Sequence, residues 1–190
     1  RLVRDWSSDV CSSDLLGHTG QELAARCKAF GMEVLAWRRK ALPHTAVDHL
    51  FAAETGGGID DLLRQSDFVV LALPLSDQTW HLLGKREFAC MKNTAFLINV
   101  ARGDLVQEKA VYQALTGGEI AGFASDVWWF YDCRPFTEEF VTIGYFCPVP
   151  SRLGVHRLEN VIATADRSCF TTTMEEDRKS TRLNSSHALH

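Results

Sequence analysis

The chain has 190 residues, of which 46% are hydrophobic, and its 20 Lys and Arg against 24 Asp and Glu give a formal net charge of -4. This length and composition suffice for one medium-sized domain with a real core. The slight acidity argues against general nucleic-acid binding, and the longest apolar run, residues 68–75, is too short to cross a bilayer. We therefore expect neither a nucleic acid nor a membrane as partner.

The two ends of the chain differ from the rest. Residues 5–15 resemble a translated sequencing-adapter oligonucleotide, and residues 177–187 resemble the same adapter read on the opposite strand. We therefore expect residues 1–15 and 177–190 to be foreign, with residues 16–176 forming the domain. Natural Ser-rich disordered tails are the alternative. On either interpretation, function is to be sought between the two ends.

The first clear pattern after the leading segment is a glycine turn, a helix and a strand. Gly17 and Gly20 form G-x-x-G, although the first glycine of the longer G-x-G-x-x-G pattern is replaced by Leu15. Apolar residues then recur at helical spacing up to Gly31, where a helix commonly stops. Such a turn lets the backbone approach a pyrophosphate at the helix N-terminus. The candidate cofactor-binding residues are Gly17, His18, Thr19 and Gly20.

The segment before this turn has the position of the first, central strand of a sheet. Ser12, Ser13 and Asp14 are poor strand residues for a buried position. We therefore expect the first strand to be truncated or replaced, and the chain as written to be marginally stable. A cooperative thermal transition of a purified sample would contradict this expectation.

The remaining elements alternate. The predicted strands are residues 32–37, 68–73, 94–100 and 120–127, and the predicted helices are residues 47–53, 59–65, 85–91 and 107–115. Alternation of this kind implies right-handed crossovers and a parallel sheet. We expect an α/β fold, namely a Rossmann-like doubly wound parallel sheet.

Arg102 directly follows a buried-looking strand, at the edge where open α/β sheets bind their ligands. Its planar, permanently charged guanidinium suits a carboxylate better than a lysine would. A loop salt bridge is the alternative. We interpret Arg102 as an anion clamp.

The residues about 20 positions past the glycine turn indicate which dinucleotide is bound. Sites that select NAD usually present an acid there, whereas this chain has Arg38, Arg39 and Lys40. These cations would attract a 2′-phosphate that an acid would repel. We therefore expect NADP rather than NAD, with Arg38 and Arg39 as phosphate ligands. A solvated basic loop is the alternative.

The cysteines that follow the leading segment form no C-x-x-C pair, and the histidines show no zinc-like spacing. This pattern predicts no disulfide framework and no metal site. A reducing cytoplasm is the simplest location.

Several short motifs together carry a family resemblance. They are Gly17-His18-Thr19-Gly20, Ser66-Asp67-Phe68-Val69-Val70, Leu73-Pro74-Leu75, Thr79-Trp80-His81-Leu82, Met91-Lys92, Asn99-Val100-Ala101-Arg102-Gly103, Ile120-Ala121-Gly122 and Asp126-Val127. With them the chain resembles the cofactor-binding domain of the D-isomer-specific 2-hydroxyacid dehydrogenases. That family transfers a hydride between a nicotinamide cofactor and a 2-keto or D-2-hydroxy acid. The resemblance implies that Arg102 binds the substrate carboxylate and carbonyl. It also implies a group of residues around the nicotinamide end: Pro74, Val100, Ala101 and Asp126.

The chain departs from the family pattern at two catalytic positions. Tyr131 stands where the family has a glutamate, and Asp166 stands where it has a histidine that donates a proton to the forming alkoxide. Asp166 could serve as the acid if burial or the neighbouring Asp132 raised its pKa. The Tyr131 phenol is a second candidate donor, against a purely structural aromatic role. His156 is a third, against a surface loop histidine.

Two functions follow from these residues. The first is an NAD(P)-dependent oxidoreductase acting on a small 2-hydroxy or 2-keto acid. The second is a dinucleotide-binding pseudoenzyme or regulatory binding protein that lacks the family's Glu-His pair. Family members also carry a substrate domain, which the resemblance does not find here, so we expect the fragment to be inactive alone. The resemblance further implies a homodimer for the intact protein.

Overall fold

A computed structural model describes residues 10–14, 18–38, 44–56, 58–130 and 151–164. Across these residues the chain alternates strands and helices. The strands are β1 Val10–Asp14, β2 Val34–Arg38, β3 His49–Ala52, β4 Phe68–Leu71, β5 Phe96–Asn99, β6 Gly122–Ser125 and β7 Val161–Ala163. The helices are α1 His18–Ala29, α2 Ile59–Gln65, α3 Lys85–Phe88 and α4 Glu108–Gly117.

All seven strands form one parallel sheet in the order β3-β2-β1-β4-β5-β6-β7. The chain builds outward from β1 to β3, then crosses back and builds outward from β4 to β7. Parallel neighbours need crossover connections, and the four helices lie in four of them: α1 follows β1, α2 follows β3, α3 follows β4 and α4 follows β5. The expected Rossmann-like doubly wound sheet is thereby confirmed.

The first strand lies in the interior of this sheet, third in the order of seven. Val10–Asp14 pairs with β2 on one side and with β4 on the other. Backbone groups of β2 and β4 require partners, and an extended segment of any non-proline sequence can provide them. The first strand is therefore present at its expected place in the fold. The expected replacement affects only the amino acids that form it. The foreign origin of residues 1–15 and the marginal stability of the chain stay predictions.

One predicted element has the wrong type. We expected a short helix at residues 47–53, whereas the structure has strand β3 at His49–Ala52, followed by a 3₁₀ turn at Ala53–Thr55. The edge of β2 pairs with this segment. Asp48 anchors it, because its carboxylate accepts hydrogen bonds from the Val34 N–H and from Lys28 Nζ, both at 2.8 Å.

The other elements agree with expectation within a few residues. The helix predicted at residues 59–65 is α2, whereas the one predicted at residues 85–91 ends at Phe88. The strand predicted at residues 68–73 ends two residues earlier in the structure, as β4. The strands predicted at residues 94–100 and 120–127 are shorter at both ends, as β5 and β6.

The main core lies where α2, α3 and α4 cover the sheet. Its largest members include Phe88, Phe123 and Leu97, each at most 2% exposed. Full burial of one such side chain stabilises the fold by about 1.5–3 kcal/mol. A smaller cluster joins Ala24 and Cys27 of α1 to Val34 and Val70. Residues of the sheet contribute to both clusters, and the carboxyl edge of the sheet carries the loops described next.

Candidate functional site

The carboxyl ends of the strands form one edge of the sheet, where the predicted site residues lie. The strand order reverses between β1 and β4, and open α/β sheets bind ligands in the crevice at such a reversal. Helix α1 begins at His18, shortly after β1 ends at Asp14. The first turn of α1 therefore belongs to this edge.

The glycine turn is described in part. Gly17 lies outside the described residues, and only the backbone of His18 is described. In the first turn of α1, Thr19 is exposed and Gly20 is buried. The first N–H groups of a helix have no intrahelical partner and favour an anion, so this turn fits the pyrophosphate of a dinucleotide.

The predicted phosphate ligands follow β2. Arg38 is half-buried at the carboxyl end of that strand, and Arg39 lies outside the described residues. Arg38 therefore lies on the same edge of the sheet as the first turn of α1, on the β2 side of β1.

The loop after β5 carries the predicted anion clamp. Arg102 is exposed, and its Nη1 donates a hydrogen bond to the Ala101 carbonyl at 2.6 Å. Val100 has 37% of its surface exposed, and Ala101 is half-buried. A guanidinium and an apolar surface thus adjoin at the end of one strand.

Asn99 holds this loop, a role that was not recognised from the sequence although Asn99 belongs to the motif at residues 99–103. It is the last residue of β5 and is fully buried. Its Nδ2 donates to the Arg102 carbonyl at 2.9 Å, and its Oδ1 accepts the Ala101 N–H at 3.1 Å. The signal in the sequence is a lone amide at the end of an apolar strand, because a buried polar side chain requires partners.

Gly103 is the second residue of that motif whose role was not recognised from the sequence. A Cβ atom at this position would lie 2.3 Å from the carbonyl carbon and oxygen of Trp128. Only glycine allows these two backbone segments to approach so closely. The loop that carries Arg102 therefore packs directly against the segment that follows β6.

Replacing Gly103 by alanine forces the two backbones apart. We expect the free energy of unfolding to fall by about 1–3 kcal/mol, as for other overpacked sites, and Arg102 to shift with its loop. Urea denaturation of the intact protein measures the first effect.

Gly117→Ala is the matched control, because a Cβ there meets nothing nearer than the Glu119 side chain at 4.0 Å. We expect this change to be neutral or slightly stabilising. Equal losses of stability at positions 103 and 117 would contradict the close approach.

Asp126 lies at the end of the next strand, β6. It is 6% exposed, its N–H donates to the Asn99 carbonyl at 3.1 Å, and one carboxylate oxygen accepts the Thr164 hydroxyl at 2.5 Å. Thr164 follows β7, and its own carbonyl accepts the Trp128 indole N–H at 2.8 Å. The ends of β5, β6 and β7 are thus connected through Asp126.

Pro74 lies on the loop after β4. It is exposed, and its carbonyl accepts the hydroxyl of the buried Thr79 at 2.9 Å. The adjacent Leu75 is 38% exposed. Together with Val100, these residues place exposed apolar side chains on the loops after β4 and β5, at the same edge of the sheet.

Of the three candidate proton donors, only His156 lies among the described residues; Tyr131 and Asp166 lie outside them. His156 is half-buried and meets the Trp128 ring edge-on at 6.0 Å. Burial lowers its pKa, the positive charge of Arg157 lowers it further, and Glu108 partly opposes both. The imidazole is therefore neutral at neutral pH.

The described residues also bear on metals and membranes. No helix in the described ranges is long and apolar enough to cross a bilayer. Nor does any group of three His, Cys, Asp or Glu in these ranges come close enough together to hold a metal ion. The described edge offers an exposed guanidinium, Arg102, on the loop after β5 and a buried carboxylate, Asp126, after β6.

Comparison with known proteins gives the family. The model of the D-isomer specific 2-hydroxyacid dehydrogenase NAD binding domain matches residues 16–165. A glyoxylate reductase of Thermococcus gammatolerans is 45% identical over 123 residues, which is 65% of this chain and 35% of that protein.

Two solved structures are similar in fold. D-lactate dehydrogenase with NAD+ from Lactobacillus jensenii has a TM-score of 0.68 and 29% identity. The match covers 87% of this chain and 47% of the D-lactate dehydrogenase chain. A D-isomer specific 2-hydroxyacid dehydrogenase from Xanthobacter autotrophicus Py2 with NADPH has a TM-score of 0.66 and 29% identity. The match covers 84% of this chain and 44% of the Xanthobacter chain.

The chain spans about a third of the length of the curated relative and less than half of each solved chain. The matched region contains β2 to β7 and the edge that carries Arg102 and Asp126. The resemblance noted in the sequence is thereby confirmed: the chain belongs to the D-isomer specific 2-hydroxyacid dehydrogenase family and contains its NAD-binding domain.

Proposed function

We propose that the intact protein is an oxidoreductase that transfers a hydride between a nicotinamide cofactor and a small 2-keto or 2-hydroxy acid. The observation that carries this proposal is the exposed Arg102 guanidinium at the carboxyl end of β5. Its backbone is held by the buried Asn99 and seated against Trp128 through Gly103. A site that only held a cofactor would have little use for a cation fixed in this way.

Arg102 has two roles in this proposal. Its fork of N–H donors binds the substrate carboxylate, which orients the acid. It also stabilises the negative charge that develops on the carbonyl oxygen during reduction. The cofactor, when bound, supplies the hydride.

The other candidate residues hold the cofactor. We assign the pyrophosphate to the turn of Gly17, His18, Thr19 and Gly20, because a helix N-terminus favours its charge. We assign the nicotinamide end to a group of residues on the loops after β4, β5 and β6: Pro74, Val100, Ala101 and Asp126. The exposed apolar surface of Val100 supports this assignment.

Reduction of a carbonyl also requires a proton, and we propose Asp166 or Tyr131 as its donor. Support comes from the sequence, because these residues stand where the family has its histidine and glutamate. Thr164, two residues before Asp166, is bonded to the Asp126 carboxylate, so the chain leaves β7 beside the proposed nicotinamide position. His156 is a weaker candidate, because burial lowers its pKa and leaves it neutral at neutral pH.

We propose NADP as the preferred dinucleotide, with Arg38 and Arg39 binding the 2′-phosphate. Similar structures hold NAD+ in one case and NADPH in another, so the two arginines are the argument for the preference. The position of Arg38 at the carboxyl end of β2 suits this role.

Replacing Arg38 and Arg39 together by alanine should reveal that preference. Each lost hydrogen bond to a charged phosphate is worth about 1.5–3 kcal/mol, so we expect NADPH to bind at least about 10-fold more weakly. The affinity for NADH should stay within about twofold, because NADH lacks the phosphate. Fluorescence titration of the intact protein measures both, with Arg39→Ala alone as a milder variant.

Arg64→Ala is the control, since this exposed arginine pairs with Asp61 on α2. Equal weakening of NADPH and NADH in the double variant would contradict a phosphate-binding role.

The pseudoenzyme is the second candidate, favoured by Tyr131 and Asp166 standing in place of the family's catalytic pair. In this case the protein would bind the dinucleotide and regulate a partner without turnover. For either function we propose a homodimer in a reducing cytoplasm. Support for the reducing compartment comes from the sequence, in which the cysteines after the leading segment form no C-x-x-C pair.

One experiment separates the two functions. The intact protein, expressed from the full-length gene without the adapter-like ends, is titrated with NADPH and NADH and then assayed on a panel of 2-keto acids. Turnover on any acid supports the oxidoreductase. Tight binding without turnover favours the pseudoenzyme, and failure to bind either nucleotide contradicts both.

A further inference from the structure

Asn99 connects the two sides of the candidate site through its side chain and its backbone. Its side-chain amide bonds to the Arg102 carbonyl and the Ala101 N–H, at 2.9 and 3.1 Å. Its backbone carbonyl accepts the Asp126 N–H at 3.1 Å. One fully buried residue thus contacts both the loop after β5 and the loop after β6.

The two side-chain bonds constrain different parts of one loop. The bond to Ala101 fixes the N–H two residues after Asn99, and the bond to Arg102 fixes the carbonyl three residues after it. The two bonds thus restrain the backbone on both sides of the Arg102 Cα. The long guanidinium side chain then starts from a defined point, although its tip is exposed.

We propose that Asn99 is a positioning residue that fixes the backbone of Arg102 relative to Asp126. It thereby fixes the position of the substrate acid relative to the nicotinamide. This inference rests on the proposed role of Arg102 as the substrate clamp. Asn99 itself touches neither substrate nor cofactor. Its effect on the reaction is exerted through the path of the backbone.

Asn99→Asp distinguishes positioning from a general structural role. The carboxyl group has the shape of the amide, but its ionised form cannot donate a hydrogen bond to the Arg102 carbonyl. A carboxylate oxygen then faces the Arg102 carbonyl oxygen, and the two repel each other. The protonated form can donate and therefore restores both bonds. Burial raises the pKa of such a carboxyl, and so does the negative charge of Asp126 at the end of the neighbouring strand, while the positive charge of Arg102 opposes that shift.

The expected results concern kcat/KM for a 2-keto acid in the intact protein. A displacement of about 1 Å at a reacting group can cost about 100-fold, and we expect a loss of this order for Asn99→Ala at all pH values. Asn99→Asp should show a similar loss at about pH 8. It should regain activity, relative to the wild type, as the pH falls toward about 5 and the carboxyl takes up its proton.

Three controls accompany these variants. NADPH affinity should fall much less than kcat/KM, since the side-chain bonds of Asn99 go to Ala101 and Arg102 and not to the glycine turn, to which the pyrophosphate is assigned. Asn160→Asp alters an amide whose bonds go to the Leu115 and Ala121 carbonyls at 3.4 Å, and it should leave KM unchanged. Thermal unfolding at each pH shows that the assayed variants are folded.

The inference is overturned if Asn99→Ala keeps its KM and kcat, if cofactor affinity falls in parallel, or if the loss in Asn99→Asp does not vary with pH. Arg102→Ala distinguishes this failure from that of the proposed function. If Arg102→Ala abolishes turnover while Asn99→Ala does not, only the inference about Asn99 fails. If Arg102→Ala leaves turnover intact, the proposed function fails as well.

Discussion

Arg102→Ala in the intact protein is expected to lower kcat/KM for 2-keto acids by roughly 30- to 5,000-fold. This range corresponds to the 2–5 kcal/mol lost when one partner of a hydrogen-bonded charge pair is removed. NADPH affinity should change little, because Arg102 lies on the loop after β5 and the proposed pyrophosphate turn lies before α1. Steady-state kinetics and a fluorescence titration of the cofactor measure the two quantities separately.

Two further variants sharpen this test. Arg102→Lys keeps the charge but loses the planar fork, so it should recover only part of the activity. Arg86→Ala removes another exposed arginine, one that pairs with Asp60 and Glu87 on the surface, and should leave both quantities unchanged. Turnover that survives Arg102→Ala would mean that this residue is not the substrate clamp.

Sequence patterns were sufficient for the order of elements at the candidate site. The strand that ends at Asn99 is an apolar run with a charged loop after it, and such a pattern needs no tertiary information to predict a strand followed by a functional loop. Arg102 could be singled out for the same reason. The structure describes it at the carboxyl edge, as predicted.

The short helix wrongly predicted at residues 47–53 shows where local pattern fails. Its four central residues, His49–Ala52, are too few for a helical or alternating period to be recognised. The free edge of β2 decides their conformation, together with the bonds that Asp48 makes to Val34 and Lys28. Those contacts join residues 14 and 20 positions apart, so no local pattern contains them.

Asn99 and Gly103 were missed as parts of the site for a related reason. The role of Gly103 depends on the Trp128 backbone, 25 residues further along the chain, which approaches too closely for any side chain. The role of Asn99 depends on which carbonyl its amide reaches after the loop has folded. Both roles are tertiary, so the sequence could identify the functional side chain but not the residues that support it.

Phe123→Ala should have the largest effect on stability among the changes considered. Phe123 lies in β6, is 2% exposed, and packs edge-on against Trp128 with ring centroids 6.4 Å apart. Truncating a buried phenylalanine to alanine costs about 3–5 kcal/mol, because contacts are lost and a cavity remains. The cavity would lie beside Trp128, whose backbone packs against Gly103 in the loop that carries Arg102. We therefore also expect a loss of turnover in the fraction of molecules that stays folded.

Phe30→Ala is the matched control for that change. Phe30 follows α1 and is 79% exposed, so the same truncation removes little buried surface and should change the free energy of unfolding by less than about 0.5 kcal/mol. Urea denaturation of both variants in the intact protein gives the two values side by side. If they differ by less than about 1 kcal/mol, Phe123 does not lie in the core of the folded domain, and the packing of β6 against Trp128 is refuted.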